Sequence, residues 1–568
     1  MRMRKWISGT ILSSLMVLPT TLMAERGSDG ELRMIFWQAP SLMNPYLSGG
    51  IKEKIASSIV LEPLARINPK AEMLPRLAQV IPSVENGGIS PDLKTVTWKL
   101  RGDILWSDGS AFTAEDVAFT ASYCMEPSTG CAQLGSFTNI ESVDAVDAQT
   151  VKITFKQPEA NPFNLFVGAS TPILQKAQFE NCIGKKALQC TEANFFPIGT
   201  GAFRLTDFMP NDVLKMEANP YYREADKPAF SGLVMKGGGD AVSAARTVLE
   251  TGEMDYAINT QVAPEVLERL SKGSQGEPVI AFGPMIEQIT LNLTDPSPDL
   301  DPDTRSTRKK ANPVLSDLNV RKALSLAIDR NVLVDIGYGR TGKPACNVLE
   351  SPEIFRSPNN DGCVQQQLDA ARALLDQAGW VPGPDGVRAK DGQRLELLFQ
   401  APTNPVRQDF QVLIKQWWSE IGVDTELRNI NASVFFGGDV SSPDTLRKFY
   451  ADVQIFTNGF TGIDPETYLN ALRCGAEPRP ETHWKGTNVP RFCSEEYDTL
   501  LDTLRQTASP SARQEIFKKL NDIIIQSYIV LPLIHRSQIS ARANTLEGVR
   551  MNPWGSELWN IADWRRAN

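Results

Sequence analysis

The chain has 568 residues, of which 42% are hydrophobic and 22% are charged, and this composition excludes a disordered, collagen-like or polytopic membrane protein. At roughly 150 residues per domain, the length suggests three or four domains. The formal charge of −9 argues against nucleic acid as a partner, because nucleic-acid binding needs a basic surface. With two histidines only, His483 and His535, a histidine-based centre is disfavoured, and we predict no metal and no other cofactor.

The first 24 residues have the pattern of an export signal. Arg2, Arg4 and Lys5 precede an apolar stretch over 7–19, and Ala24 supplies a small residue at a plausible cleavage point. The apolar stretch is shorter than the roughly 20 residues that a membrane span needs, although an uncleaved anchor helix is the alternative. We therefore predict a signal peptide over 1–24 and a periplasmic mature protein of the Gram-negative type.

All eight cysteines follow the predicted signal peptide and fall into local couples. Eight cysteines allow 105 pairings, so the sequence does not prove any of them. Short loops close readily in an oxidising compartment, whereas a metal site, the alternative, is not supported by any Cys-x-x-Cys motif. The predicted disulfides are Cys124–Cys131, Cys182–Cys190, Cys346–Cys363 and Cys474–Cys493.

The pattern of polar and apolar residues indicates a mixed α/β chain without internal repeats. Alternation predicts strands over 32–37, 95–100, 151–155, 395–399 and 453–456. Helical spacing predicts helices over 51–61, 320–336, 369–378 and 407–421, and Thr113 with Asp116 predicts a capping box that begins another helix. The strand–loop–helix order around 395–421 favours an α/β lobe, and the stretch 295–312 is predicted to be a surface loop.

Ten short segments, in order, resemble the solute-binding proteins of family 5, which serve peptide-type ABC importers. The similarity covers roughly residues 30–560, and at Ala202 the chain departs from the proline that the family usually has. The segments are 61–64 (LEPL), 73–78 (MLPRLA), 98–101 (WKLR), 106–109 (WSDG), 112–117 (FTAEDV), 197–203 (PIGTGAF), 219–222 (NPYY), 251–255 (TGEMD), 319–324 (NVRKAL) and 327–330 (AIDR).

The resemblance implies a fold with two α/β lobes that close over the ligand like a hinged clamp, as in other periplasmic binding proteins. Lobe I would comprise residues 25–60, 197–285 and 510–568, and lobe II residues 286–509. Residues 61–196 would form an inserted β-rich subdomain, and Gly199 and Gly201 would let the backbone cross tightly between lobes. The protein would be a monomer that delivers a solute, a peptide in many relatives, to an inner-membrane permease and ATPase complex.

The resemblance also implies where the solute binds. Peptide-binding relatives carry an aspartate for the peptide's amino terminus three residues before an acidic-Pro pair, and here that position is Thr461, before Asp464-Pro465. Threonine cannot neutralise an ammonium group, so the sequence leaves open whether the ligand has a free amine. Asp464 would replace the aspartate or serve as a helix N-cap.

A carboxylate of the ligand would meet the loop 400–407, where Arg407 is the nearest cation and either binds it or faces solvent at the start of a helix. Aromatic side chains near the predicted cleft would stack on the ligand or pack in the core. The remaining candidate ligand-binding residues are Trp37, Phe282, Thr403, Asn404, Asn458 and Phe460.

Two other readings of the sequence remain. A non-peptide ligand, such as an oligosaccharide, an opine-like conjugate or a chelated metal, would use the same clamp, as would a sensory binding protein. A secreted hydrolase is disfavoured, because no Gly-x-Ser-x-Gly or His-Glu-x-x-His motif is present. We therefore predict a binding protein that is not an enzyme.

Overall fold

The computed structural model describes residues 25–48, 50–436, 441–460, 462–482, 484 and 486–567. Its strands are β1 Glu31–Ile35, β2 Ala65–Ile67, β3 Met73–Pro75, β4 Thr95–Lys99, β5 Ile140–Asp147, β6 Thr150–Phe155, β7 Phe203–Met209, β8 Val213–Ala218, β9 Gly232–Lys236, β10 Tyr256–Ala257, β11 Gly276–Leu291, β12 Gly342–Pro344, β13 Val381–Pro382, β14 Arg388–Lys390, β15 Gln393–Arg394, β16 Glu396–Pro402, β17 Asp424–Ile430, β18 Val453–Asn458, β19 Val530–Ala543, β20 Leu546–Glu547 and β21 Arg565–Arg566. Its α-helices are α1 Ile51–Ser57, α2 Ala114–Met125, α3 Lys176–Phe179, α4 Thr191–Phe195, α5 Ala241–Leu249, α6 Pro264–Leu270, α7 Leu318–Leu326, α8 Arg330–Gly337, α9 Leu368–Gln377, α10 Pro405–Glu420, α11 Ala432–Phe435, α12 Glu466–Asn470, α13 Glu495–Arg505 and α14 Pro510–Gln526. The signal-peptide prediction, residues 1–24, lies outside the described residues.

One sheet of 11 strands runs through the described molecule in the order β17-β16-β18-β11-β19-β10-β1-β9-β8-β7, with β12 attached to β19. The long strands β11 and β19 are antiparallel neighbours at its centre, and we call them the hinge ribbon. β18 pairs with β11 from Ile286 to Leu291, whereas β10 pairs with the far end of β19, at Ala541 and Arg542. The hinge ribbon therefore connects two half-sheets, one in each lobe.

Separate hydrophobic clusters form the cores of the two lobes and the subdomain. Lobe I packs β1 and β7 to β10 with the C-terminal segment, and the inserted subdomain packs α2 with β4 to β6. Lobe II packs α7 to α10 against β16 and β18. This is the predicted α/β architecture, with the β-rich subdomain inserted in the first lobe.

One helix packs in a different lobe from the one predicted for it. The prediction assigned 510–568 to lobe I, but Phe517 and Leu520 of α14 lie in one cluster with Val348, Tyr497 and Leu501 of lobe II. The apolar face of α14 is buried there because β19, which follows it, enters the sheet from the lobe II side. The other boundaries between lobes stay a prediction.

Local interactions confirm most of the predicted elements and divide one of them. Thr113 and Asp116 form the capping box of α2. The helix predicted over 320–336 is two helices, because the carboxylate of Asp329 accepts hydrogen bonds from the amides of Asn331 and Val332 and starts α8. All four predicted disulfides are present in the structure.

The two glycines of the 197–203 segment are required by a close backbone contact. A Cβ atom would lie 2.0 Å from the carbonyl oxygen of Val60 at Gly199 and 2.2 Å from that of Ile59 at Gly201. The chain passes from lobe I into the inserted subdomain at 59–61. The tight crossing therefore lies between lobe I and the subdomain, and the crossing between lobes I and II is made by the hinge ribbon.

Candidate functional site

The carboxyl ends of strands from both lobes point at the middle of the hinge ribbon. β1 and β10 are parallel and end there in lobe I, and β16 and β18 are parallel and end there in lobe II. Between Ile280 and Ile286 the ribbon spans at most about 20 Å. Ligands of α/β proteins bind at the carboxyl ends of the strands, so this gap between the lobes is the candidate binding cleft.

Three hydrogen bonds connect the lobes across this gap, two of them through Arg536 of the hinge ribbon. Arg536 of β19 donates to Thr457 Oγ1 of β18 at 3.1 Å and to Gln261 Oε1 of lobe I at 3.4 Å. The amide of Gly462, after β18, donates to the carbonyl of Trp554 at 3.2 Å. In the described structure the two lobes are therefore in contact across the cleft.

A buried carboxylate anchors the lobe II end of the hinge ribbon. Glu287 of β11 is fully buried and accepts hydrogen bonds from Arg407 Nε at 2.6 Å and Nη2 at 3.1 Å. Tyr338 Oη donates to it at 3.1 Å, and Thr457 Oγ1 also donates to it. Burial alone would raise the pKa of Glu287, but Arg407, together with Arg536 and Thr457, outweighs burial and holds that pKa below its usual range. Glu287 is therefore ionised and fully engaged within the protein.

The predicted ligand clamp Arg407 is part of this network. It lies in the first turn of α10, its side chain is 13% exposed, and its guanidinium makes the bidentate contact with Glu287. The alternative that Arg407 faces solvent is wrong, because β11 presents a buried partner to it. Its role toward a ligand stays a prediction.

The polar residues before α10 are also used locally. Asn404 is the N-cap of α10, and its side chain accepts a hydrogen bond from the amide of Arg407 at 3.2 Å. The hydroxyl of Thr403 donates to the carbonyl of Ile430 at 3.1 Å. Asn458 accepts from the amide of Gly459 at 2.9 Å and lies at the end of β18. All three lie at the lobe II edge of the cleft, and their contact with a ligand stays a prediction.

The segment after β18 carries the residues predicted to meet the ligand's amine. Thr461 lies outside the described residues. Phe460 packs in the lobe II core, 6.0 Å from the ring of Tyr468. Asp464 accepts from the amide of Glu466 at 2.9 Å and from Arg513 Nη2 at 2.7 Å. The second alternative for Asp464, a structural role at the start of a helix, matches these contacts.

The aromatic candidates Trp37 and Phe282 lie at different places around the gap, Trp37 at its lobe I edge and Phe282 in the hinge ribbon. Trp37 Nε1 donates to the carbonyl of Asn259 at 2.9 Å, at the lobe I edge. Phe282, in the hinge ribbon, lies 5.2 Å from the ring of His535, and Lys343 Nζ lies 4.4 Å from its ring centroid. His535 is buried, its Nε2 lies 2.7 Å from the carbonyl oxygen of Gly283, and burial lowers its pKa. His483 lies outside the described residues.

Sequence reasoning missed three residues that meet at the hinge ribbon, namely Glu287, Thr457 and Arg536. Two signals in the sequence could have found them. Arg536 lies two residues after the apolar run 529–534, and Glu287 is the one charged residue of the segment 286–291. A charged residue inside a strand that is otherwise buried has to meet a partner, and here the partners come from distant parts of the chain.

A second buried carboxyl lies beneath the lobe I half of the cleft. Glu557 accepts hydrogen bonds from Ser540 Oγ of β19 at 2.6 Å and from Tyr256 Oη of β10 at 2.7 Å. Burial raises its pKa to about 7, since these two donors only partly offset the loss of solvent.

We expect this carboxyl to make the folded protein less stable as the pH rises. Its folded pKa exceeds its unfolded value, so its contribution is present below about pH 4.5 and is lost as the pH approaches about 7. The difference in unfolding free energy between Glu557→Gln and wild type should therefore change by about 3 kcal/mol in favour of the variant between pH 4.5 and 8. Urea unfolding at several pH values measures this, and a constant difference between the two proteins would contradict it.

The described part of the chain has neither a membrane-spanning helix nor a cluster of metal ligands. None of the helices there is both long enough and apolar enough to span a membrane. No group of three or more His, Cys, Asp and Glu side chains in the same residues is arranged to hold a metal ion.

The two half-sheets, the hinge ribbon and the cleft between the lobes define a two-lobed solute-binding protein of the periplasmic type. NikZ from Campylobacter jejuni in complex with Ni(L-His) has the same fold, with a TM-score of 0.75, 21% identity and coverage of 94% of this chain and 99% of that chain. AppA from Bacillus subtilis in complex with a nonapeptide has a TM-score of 0.72, 21% identity and coverage of 96% and 100%.

Sequence comparison assigns the family. The model of the bacterial extracellular solute-binding proteins, family 5 (middle region), matches residues 73–478, and the chain belongs to this family. The glutathione-binding protein GsiB of Escherichia coli (strain K12) is 24% identical over 470 residues, which cover 83% of each chain. The protein is thus the solute-binding component of an ABC importer and delivers its solute to the permease and ATPase complex. Family members are transport binding proteins that act in the periplasm or outside the cell.

Proposed function

We propose that this protein captures a peptide or peptide-like solute with a free carboxylate, holds it between its lobes and releases it chemically unchanged to the permease. It does so in the periplasm after removal of residues 1–24. The loops that follow Trp37 in lobe I and Asn458 in lobe II are proposed to contact the solute, since both lie at the carboxyl ends of strands. Relatives that bind glutathione or a nonapeptide support the peptide class.

The charge at the hinge ribbon is the observation that supports a carboxylate on the solute. Arg536 bridges Thr457 and Gln261 and makes no ion pair with any described residue. Lys343 lies over the ring of Phe282 and likewise has no described carboxylate partner. Glu287 is paired with Arg407 and also feels the charge of Arg536, so the middle of the ribbon together with Arg407 and Lys343 has three positive charges against one negative, in a chain whose formal charge is −9. A solute with a negative group is favoured there.

Native mass spectrometry of the protein isolated from its own periplasm tests the solute class. We expect release of a set of peptides of similar length. A single glycoside, or a metal complex without a peptide, would contradict the proposal. Conversion of the released compound by the pure protein would contradict the proposal that the solute is released chemically unchanged.

Replacing Arg536 tests the carboxylate directly. In Arg536→Met, the affinity for the principal recovered peptide should fall about 10- to 100-fold, as expected for loss of a charged hydrogen bond. The C-terminal amide of that peptide should bind wild type and variant equally. Isothermal titration calorimetry measures both.

The matched control is Arg542→Gln, on the same strand, because Arg542 pairs with Glu277 at the lobe I edge of the ribbon. It should leave peptide affinity unchanged. Equal losses of affinity in the two variants would mean that Arg536 acts through the fold and not through the solute.

A further inference from the structure

A cavity of about 60 Å³ lies where lobe I meets the inserted subdomain and the C-terminal segment. It has room for several water molecules, or for one small polar group of a ligand. Arg66, Ile67, Asn552, Trp554 and Trp559 are among the residues that line it.

Arg66 brings a positive charge to this cavity. Its Nη1 donates to the carbonyl of Trp559 at 2.6 Å, and its guanidinium lies 4.9 Å from the centroid of the Trp559 ring. Its Nε is buried and has no hydrogen-bond partner. Its Nη2 makes no hydrogen bond with a described residue either, so this nitrogen of the guanidinium can still donate to an acceptor.

Two carboxylates lie near Arg66, that of Glu62, which also lines the cavity, and that of Asp563, and each is paired with other cations. Glu62 is held by Arg223 at 2.8 Å and by Arg76. Asp563 is held by Lys227 at 2.8 Å and by Arg550 at 2.8 Å. Among the described residues, Arg66 makes no ion pair. Burial lowers the pKa of Arg66 to about 10, which still leaves the guanidinium charged at neutral pH.

The cavity borders the cleft between the lobes. Trp554 and Ile67 form one of its walls. The lobe II residue Gly462 donates its amide to the carbonyl of Trp554, and a Cβ at Gly462 would lie 3.8 Å from Ile67 Cδ1. A solute held beside the segment after β18 therefore lies next to this wall.

We propose that this cavity is a receptor for a carboxylate and that Arg66 supplies its charge. The carboxylate is either an acidic side chain of the captured solute, which rests on the proposed function, or a free small carboxylic acid. The first source would make the protein selective for acidic peptides.

The chain offers a matched control for this proposal. Arg550 lies 5.1 Å from the same Trp559 ring, but it is 58% exposed and pairs with Asp563. Arg66→Gln removes the charge in the cavity, Arg66→Lys keeps it, and Arg550→Gln removes a charge of the same type outside it. Circular dichroism and gel filtration establish that each variant is folded.

The first arm of the experiment uses sodium acetate against sodium chloride at equal ionic strength and follows the thermal unfolding midpoint. Acetate should raise the midpoint of wild type, Arg66→Lys and Arg550→Gln, but not that of Arg66→Gln. This arm does not depend on what the protein transports.

The second arm compares Ala-Glu-Ala with Ala-Gln-Ala by calorimetry. Wild type and Arg550→Gln should bind the acidic peptide about 10- to 100-fold more tightly, and Arg66→Gln should bind the two equally. An acetate response with no binding of either peptide would support a free small carboxylic acid as the ligand of the cavity. It would refute the proposal that the protein captures peptides, but not the receptor proposal.

The receptor proposal is overturned if acetate acts alike on wild type and Arg66→Gln and the two peptides bind wild type equally. It is also overturned if Arg550→Gln matches Arg66→Gln in both arms. If Arg66→Gln does not fold, Arg66→Lys is tested with acetate and with the two peptides. This variant should keep both responses, because they require only the positive charge, and loss of both would overturn the proposal.

Discussion

Replacing Glu62 with glutamine is expected to destabilise the junction between lobe I and the inserted subdomain by about 3–5 kcal/mol. Glu62 is 6% exposed, and it accepts hydrogen bonds from Arg223 at 2.8 Å, Thr200 at 2.9 Å and Arg76. Burial alone would raise its pKa, but the two arginines lower it to about 2. The neutral amide would leave two largely buried guanidinium groups without their counter-charge.

The midpoint of urea unfolding, followed by tryptophan fluorescence, measures the effect of Glu62→Gln. Glu224→Gln is the control, since Glu224 lies 3.8 Å from the same Arg76 but is 38% exposed. A pair exposed to this degree should contribute less than about 1 kcal/mol. Equal shifts of the midpoint in the two variants would contradict the importance of burial at Glu62. If Glu62→Gln does not fold, Arg223→Met should still be less stable than the control.

Replacing Arg407 with methionine is expected to destabilise lobe II by about 3–5 kcal/mol, because the carboxyl of Glu287 would remain buried without its partner. The double variant Glu287→Gln with Arg407→Met should recover much of that loss. If Arg407 serves only as a ligand clamp, the single variant should unfold like wild type and lose affinity alone.

The pH dependence of Arg407→Met should be opposite in sign to that of wild type at this site. In wild type the pKa of Glu287 is held low, so its contribution to stability is present above the unfolded pKa and is lost as the pH falls. Without Arg407, burial raises that pKa, so the variant should lose stability as the pH rises. Urea unfolding at pH 5 and pH 8 distinguishes the two cases, and a pH-independent difference would contradict this assignment.

Features that depend on neighbouring residues were predictable from the sequence. The capping box of α2 joins Thr113 to Asp116, and each disulfide joins cysteines that are 7 to 19 residues apart. The break between α7 and α8 was also encoded locally, in the carboxylate of Asp329, but the apolar periodicity of 320–336 concealed it. Periodicity reports the buried face of a segment and is insensitive to where one helix ends and the next begins.

Partners that come from distant parts of the chain were not predictable. Arg407 meets Glu287 at a separation of 120 residues, and Asp464 meets Arg513 at 49. α14 packs with lobe II although its sequence is compatible with either lobe. The same limit applies to the cavity beside Arg66, whose walls come from five separate parts of the chain, 58–67, 76, 168–169, 201–202 and 552–562.

The sequence by itself determined the family and most of the local elements of this protein and favoured the local disulfide pairing, because motif order, periodicity and short loops are properties of contiguous residues. The tertiary structure decided which charged groups form ion pairs within the protein, as Arg407 and Glu287 do, and which have no ion-pair partner among the described residues, as is the case for Arg536 and Arg66. The physical reason is that a charge in a protein is stabilised or left without a partner by whatever folding brings within a few ångströms of it.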